Sequence, residues 1–350
     1  MKRLLHCVFR LLLLLALSLQ AEWVGAGGFD PLFASNTTLQ IMLDGPFALI
    51  EGERDKNKEY PGNLTYSDAD GKSVVLAVVF QARGNFRLRK DVCRNSPLWL
   101  NVKTREAQGT LFENQNKIKL AVQCSPRPSY ADYLFREYQA YRLFGQLTDR
   151  SFATRLVQVT YRDSGNARRS GSTLGFFIEH HARLAQRLGL NDSQVEQISL
   201  GQLDPVQANL VDTFMYMIAN TDYSMLVGED GEDCCHNIRP LKDNNERYVA
   251  IPFDFDFSGF VNAPYAEPPT GINLSSIRQR RYRGFCVHNN LSEATLARFR
   301  KERSAITAIL ADTSYVSPQQ AAKAKDFIDG FYALINNPAK VNSELLDACR

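Results

Sequence analysis

The sequence predicts an α+β protein in two lobes, a β-rich N-terminal half followed by a mainly helical C-terminal half. Three observations carry that reading. Short apolar and alternating runs, separated by Gly, Pro and Asn, fill residues 28–125. Pro126 and Pro128 then break the chain, and apolar residues at helical spacing dominate the remaining two thirds. The composition, 44% hydrophobic and 23% charged over 350 residues, is globular and excludes disorder, collagen and coiled coil.

Residues 1–26 read as a secretory signal. Lys2, Arg3 and Arg10 lead an apolar run at 11–17, and Ala21 and Ala26 offer small-residue cleavage points. The run is far short of a bilayer span and no later segment reaches that length, so no membrane span is expected. A secreted or periplasmic location follows. Cleavage after Ala26 removes three bases and one acid, Glu22, from a formal charge of +3. The nearly neutral remainder gives no electrostatic case for nucleic-acid binding.

Six cysteines stand beyond the signal, an even number that points to disulfides in an exported chain. Cys93 and Cys124 flank one β-rich stretch and are favoured as a pair. Cys286 with Cys349 would tie down the C-terminus. Cys234-Cys235-His236 could bind a metal, but no second ligand cluster stands at zinc spacing, and a disulfide or buried thiol is the plainer reading.

In chain order, 38–43 alternates as a strand and Asp44-Gly45-Pro46 breaks it. Tyr60-Pro61-Gly62-Asn63 reads as a turn. The run 73–80 (SVVLAVVF) is a buried strand, and 96–103 and 117–123 are two shorter ones. A helix over 131–147 carries Leu134, Tyr138 and Tyr141 on one face. Residues 157–161 and 174–179 form a hairpin around a polar loop. Asp204-Pro205 caps a helix running to about Asn220, with the carboxylate at the N-cap and proline at the first helical position. A strand covers 248–253, and helices cover 291–310 and 318–335. The lobes divide as 27–180 and 181–350, and a cleft between lobes is a usual ligand site.

The second lobe concentrates the chemistry. Asn220-Thr221-Asp222 ends the apolar helix, His236-Asn237 follows an acidic loop, and strand 248–253 runs into Asp254-Phe255-Asp256. Carboxylates at i and i+2 on an extended chain point to one side. Asp254 and Asp256, with the amide oxygen of Asn237, suit Mg²⁺ or Mn²⁺, which takes phosphate oxygens as further ligands. Asp222 would orient or deprotonate a hydroxyl. That set serves phosphoryl transfer if a Lys–Glu pair holds the nucleotide phosphates. Glu137 supplies the acid, and Lys119 or Lys103 the cation. Arg83-Gly84-Asn85 is a phosphate-facing turn or a plain one. The alternative for the acids and amides is ordinary capping and turn chemistry. With no GxxxxGK[ST] and no GxGxxG, a P-loop or Rossmann site is not supported.

Two further groups draw notice. His180-His181 are adjacent, so their side chains should diverge and not chelate jointly. Arg278, Arg280, Arg281 and Arg283 form a basic cluster that could dock an acidic or phosphorylated substrate, or could be a solvated face.

The strand from Ser73 through RGN, the KIKLAVQ strand, FREYQAYRLFG, GFFIEHHARLAQR, ANTDYS and IPFDFDFSG together resemble the spore-coat CotH family of secreted, atypical protein kinases. The resemblance covers roughly residues 60–265. It implies an atypical protein-kinase-like fold and Mg- or Mn-dependent transfer of the ATP γ-phosphate to a secreted or envelope acceptor. Asp222 would be the catalytic-loop acid and Asp254 the metal aspartate. Glu137 would be the helix glutamate, with Lys119 or Lys103 the nucleotide lysine, and Phe177-Ile178-Glu179 the hinge touching adenine. Asn237 stands fifteen residues after Asp222, against about five in ordinary kinases. A pseudokinase that only binds nucleotide, an envelope interaction protein and a metal-dependent hydrolase using the same acids therefore stand beside the kinase expectation.

Overall fold

The computed structural model describes residues 28–165 and 170–350. The expected signal segment lies outside the described residues. The protein is α+β, built on a closed barrel of seven strands. The strands are β1 (Leu39–Gly45), β2 (Tyr60–Ser67), β3 (Ser73–Ala82), β4 (Leu98–Val102), β5 (Lys117–Val122), β6 (Thr154–Asp163) and β7 (Ser170–Ile178). Their order is β1-β2-β3-β4-β5-β7-β6, antiparallel throughout except for the parallel β1–β6 pairing that closes the ring.

Strand alternation decides what faces in. Phe80, Leu100, Ile118, Leu120 and Phe177 fill the barrel with Leu43, Leu64 and Val157. The opposite parity, Ala121, Phe176 and Ile178, turns outward into a second core. Helix α1 (Phe47–Glu53) and the one-turn α2 (Thr104–Ala107) decorate the barrel, and α3 (Ser129–Leu147) packs on its outer face. Helix α4 (His181–Leu188) follows β7. A small sheet of order β10-β9-β8 unites β8 (Asn191–Asp192), β9 (Ile238–Lys242) and β10 (Tyr248–Pro252). Helices α5 (Pro205–Met217), α6 (Ser292–Leu310) and α7 (Pro318–Ile335) complete the second core.

Local signals fix several ends. Asp204 accepts from the Gln207 N–H at 2.9 Å and Pro205 opens α5. Ser317 and Pro318 repeat the device at α7. The Tyr60–Asn63 segment is strand and not the expected turn. Pro61 precedes the β1–β2 register, which begins at Asn63, so its missing N–H breaks no pair there. Gly62 allows a close approach, because a Cβ there would lie 2.3 Å from the Asp44 carbonyl oxygen.

Disulfides join Cys93 to Cys124 and Cys286 to Cys349, as expected from sequence, and Cys234 is joined to its neighbour Cys235. Among the described residues no helix is long and apolar enough to cross a membrane.

Candidate functional site

The outer faces of β4 and β5 carry Trp99, Asn101, Lys117 and Lys119 where the inner faces carry core. Trp99 on β4 stands opposite Lys119 on β5, and Arg83 directly follows β3. The Lys119 ammonium lies 5.5 Å from the Trp99 ring centre and 4.8 Å from that of Phe253. Neither the Lys119 ammonium nor the Arg83 guanidinium makes a hydrogen bond or ion pair among the described residues. Burial, with Arg83 beside it, brings the Lys119 ammonium down to about 7, and burial also lowers Arg83. Asp254 is the acid that acts most strongly on each.

Asp254 follows Phe253 at the end of β10, with φ at +61°, where Asp and Asn are tolerated best after Gly. Its N–H donates to the Tyr141 hydroxyl at 2.9 Å, which ties the segment to α3. Asp256 is buried, and the Tyr265 hydroxyl donates to it at 2.9 Å. Burial first, then repulsion from Asp254, pushes Asp256 up to about 7, with Asp222 adding to the rise. Asp254 and Asp222 thus both act on the ionisation of Asp256 within one acidic region. Crowding of two carboxylates is what a divalent cation relieves. No group of three or more His, Cys, Asp and Glu among the described residues is disposed to hold a metal.

Asp222 sits in the loop after α5 and is half-buried. His236 Nε2 lies 2.8 Å from its Oδ1, and Asn237 Nδ2 donates to Oδ2 at 3.0 Å and to its carbonyl at 2.8 Å. The bond to Asp222 holds the His236 imidazolium above its usual range. The Asn237 amide nitrogen is thus spent on Asp222, which leaves only its oxygen for the metal role expected of it. Arg283 donates to the carbonyls of Thr221 and Tyr223, clamping the loop on either side of Asp222.

Glu137 on α3 meets neither expected lysine. Its partner is Arg87, with Nη1 3.4 Å from Oε2, and burial raises the Glu137 carboxyl well above its usual range. The reason is register: the β3–β4 loop bends back over α3, where Arg87 also donates to the Val122 carbonyl. Lys103 is corrected more sharply. It is exposed at the head of α2, four residues from Trp99, or about 13 Å along the strand from the level of Lys119.

The expected hinge is likewise structural in its side chains. Ile178 is buried in the core and paired on both sides, with Lys119 and Thr154. Glu179 forms a buried, bidentate pair with Arg187, at 2.8 and 2.9 Å, and its N–H donates to the Ala153 carbonyl. His180 and His181 do not diverge: their rings lie 4.0 Å apart, because His180 is still extended while His181 begins α4. In the basic cluster, Arg278, Arg280 and Arg283 all donate to backbone carbonyls, while Arg278 and Arg281 are exposed. A separate cavity of about 280 Å³ opens behind Tyr141 and Phe152, and its lining includes none of the three aspartates.

Sequence reasoning missed Trp99 and Arg87, and it named His236 without its bond to Asp222. The alternation of SPLWLNVK puts Trp99 opposite to Leu98 and Leu100, which was the available signal for an outward indole. Nothing in the irregular 83–97 loop marks Arg87. No protein-family model matches the chain, and no curated protein matches it.

Proposed function

We propose that the protein is a secreted, CotH-like atypical kinase, which transfers the γ-phosphoryl group of ATP to a hydroxyl acceptor. The observation that carries this reading is the pair of cations, Lys119 and Arg83, that lack an ionic partner and stand nearest in charge to Asp254. A cluster of partly buried cations beside crowded acids is stabilised by an anion on one side and a divalent cation on the other. Lys119 and Arg83 would neutralise the phosphate oxygens. Asp254 and Asp256 would hold Mg²⁺ or Mn²⁺, which supplies charge neutralisation on the β- and γ-oxygens when bound. Asp222 would accept the proton of the acceptor hydroxyl as its oxygen bonds to phosphorus and the bond to the β-phosphate breaks. Arg283 and Asn237 keep that carboxylate in place.

One observation favours a second reading. Glu137 is held by Arg87 and not by Lys119, so the ion pair that active kinases use is replaced, which suits a pseudokinase that binds nucleotide without transferring it. Thermal shift with ATP and Mn²⁺, paired with incorporation of labelled γ-phosphate into envelope proteins, separates the two. A shift with transfer supports the kinase, a shift without transfer supports the pseudokinase, and no shift removes both. Release of free phosphate without transfer would point to a hydrolase.

A further inference from the structure

Trp99 gathers more charge than a two-cation phosphate site needs. Arg83, Lys117 and Lys119 lie 5.6, 4.9 and 5.5 Å from its ring centre. Like those of Arg83 and Lys119, the charged end of the Lys117 side chain makes no hydrogen bond or ion pair among the described residues. Lys117 and Lys119 share β5 and Arg83 follows β3, so three cations without counter-ions meet around β4 and repel one another. An indole face among them offsets part of that repulsion without cancelling their charge, so they remain available to an anion. Trp99 is thus placed as the organiser of a positive face wide enough for a chain of phosphates.

The base side is differently furnished. The His180 ring lies 5.9 Å from the indole and stacks on His181. The Glu179 N–H and carboxylate are both bonded within the protein, and Ile178 is paired on two sides. Free charge meets the phosphates, whereas the Glu179 N–H and carboxylate, two groups that could read a base, are bonded to Ala153 and Arg187.

We propose that the Trp99 face recognises the phosphate chain of its ligand and not the base, so that nucleoside triphosphates of any base and inorganic tripolyphosphate bind alike. The proposal rests on the nucleotide reading above and narrows it to a ligand class.

The test uses the chain from residue 27 on, as cleavage after Ala26 would leave it, in which Trp99 is the single tryptophan. Its fluorescence is followed on addition of ATP, GTP, adenosine and tripolyphosphate with Mg²⁺, with calorimetry in parallel. ATP, GTP and tripolyphosphate should each change the emission and agree in affinity within about threefold, while adenosine does neither. In calorimetry, Trp99→Ala should weaken tripolyphosphate by about tenfold and Trp99→Phe far less, since an aromatic face remains. If Trp99→Ala does not fold, Lys117→Gln takes its place, with a loss of about threefold or more. ATP binding that GTP and tripolyphosphate do not match, or native affinity in Trp99→Ala or Lys117→Gln, overturns the proposal and leaves the nucleotide reading standing. No binding of ATP by either method overturns both.

Discussion

Arg87 Nη1 lies 3.4 Å from Glu137 Oε2, with the two side chains only 11% and 3% exposed. The arginine comes from the β3–β4 loop, which the Cys93–Cys124 disulfide and the bonds from Arg94 and Asn95 to the Cys124 carbonyl hold against β5. Removing one member of a buried pair strands the other charge, at a cost of about 3–5 kcal/mol. Arg87→Met should therefore destabilise by about 3 kcal/mol in urea unfolding. The double variant with Glu137→Gln should recover most of the loss. Equal losses in the single and double variants would assign the effect to packing and not to the ion pair.

Lys119→Met should behave in the opposite way. Lys119 has no ionic partner and its charge is opposed by burial and by Arg83, so the apolar replacement should leave Tm unchanged or raise it. The same variant should lose nucleotide binding. A drop in Tm as large as that of Arg87→Met would mean that Lys119 serves stability.

Asp254 separates charge from backbone geometry. At φ +61°, Asn is tolerated, whereas Ala adds a penalty of about 1 kcal/mol. Asp254→Asn should keep native Tm and lose Mn²⁺-dependent ATP binding, and Asp254→Ala should lose both binding and some stability. Native metal–ATP affinity in the Asn variant would remove Asp254 from the site.

Asp222→Asn tests the proton acceptor. The amide preserves the shape that Arg283 and Asn237 hold but cannot take a proton, so ATP binding should persist while transfer falls by about 100-fold or more. Transfer at the native rate would leave Asp222 as a structural residue bonded to His236.

Asp212 gives a pH prediction for the fold. It is buried on α5, accepts from the Tyr223 hydroxyl at 2.7 Å, and has no protein partner for Oδ2. Burial raises its carboxyl to about 7, against an ordinary value near 4 in the unfolded chain. The folded state therefore binds more protons between about pH 4 and 7, and stability should fall as pH rises through that window, then level off. Asp212→Asn should flatten that part of the Tm profile. An unchanged slope would assign the dependence to other groups.

Much of the secondary structure was legible because its causes are local. The apolar run at Ser73–Ala82 made a strand, and Asp204-Pro205 started a helix, since capping and periodicity act within a few residues. Cys93–Cys124 and Cys286–Cys349 were legible too, from their positions around a β-rich stretch and at the C-terminus. The Pro61-Gly62 segment misled because its turn residues serve a strand entrance and a close contact with Asp44.

The sequence by itself determined the α+β class, the order of most elements and the chain positions of Asp222, Asp254 and Asp256. The tertiary structure decided which charges meet. Periodicity says which way a side chain faces, but not which strand lies beside it, and neighbours in the barrel follow from the β5–β7 pairing and the parallel β1–β6 closure. That register set Trp99 against Lys119, left Lys103 at the far end of its strand, and brought Arg87 to Glu137. Trp99–Lys119 and Arg87–Glu137 are contacts between residues distant in sequence, whose energy depends on burial and distance and so exists only once the chain is folded.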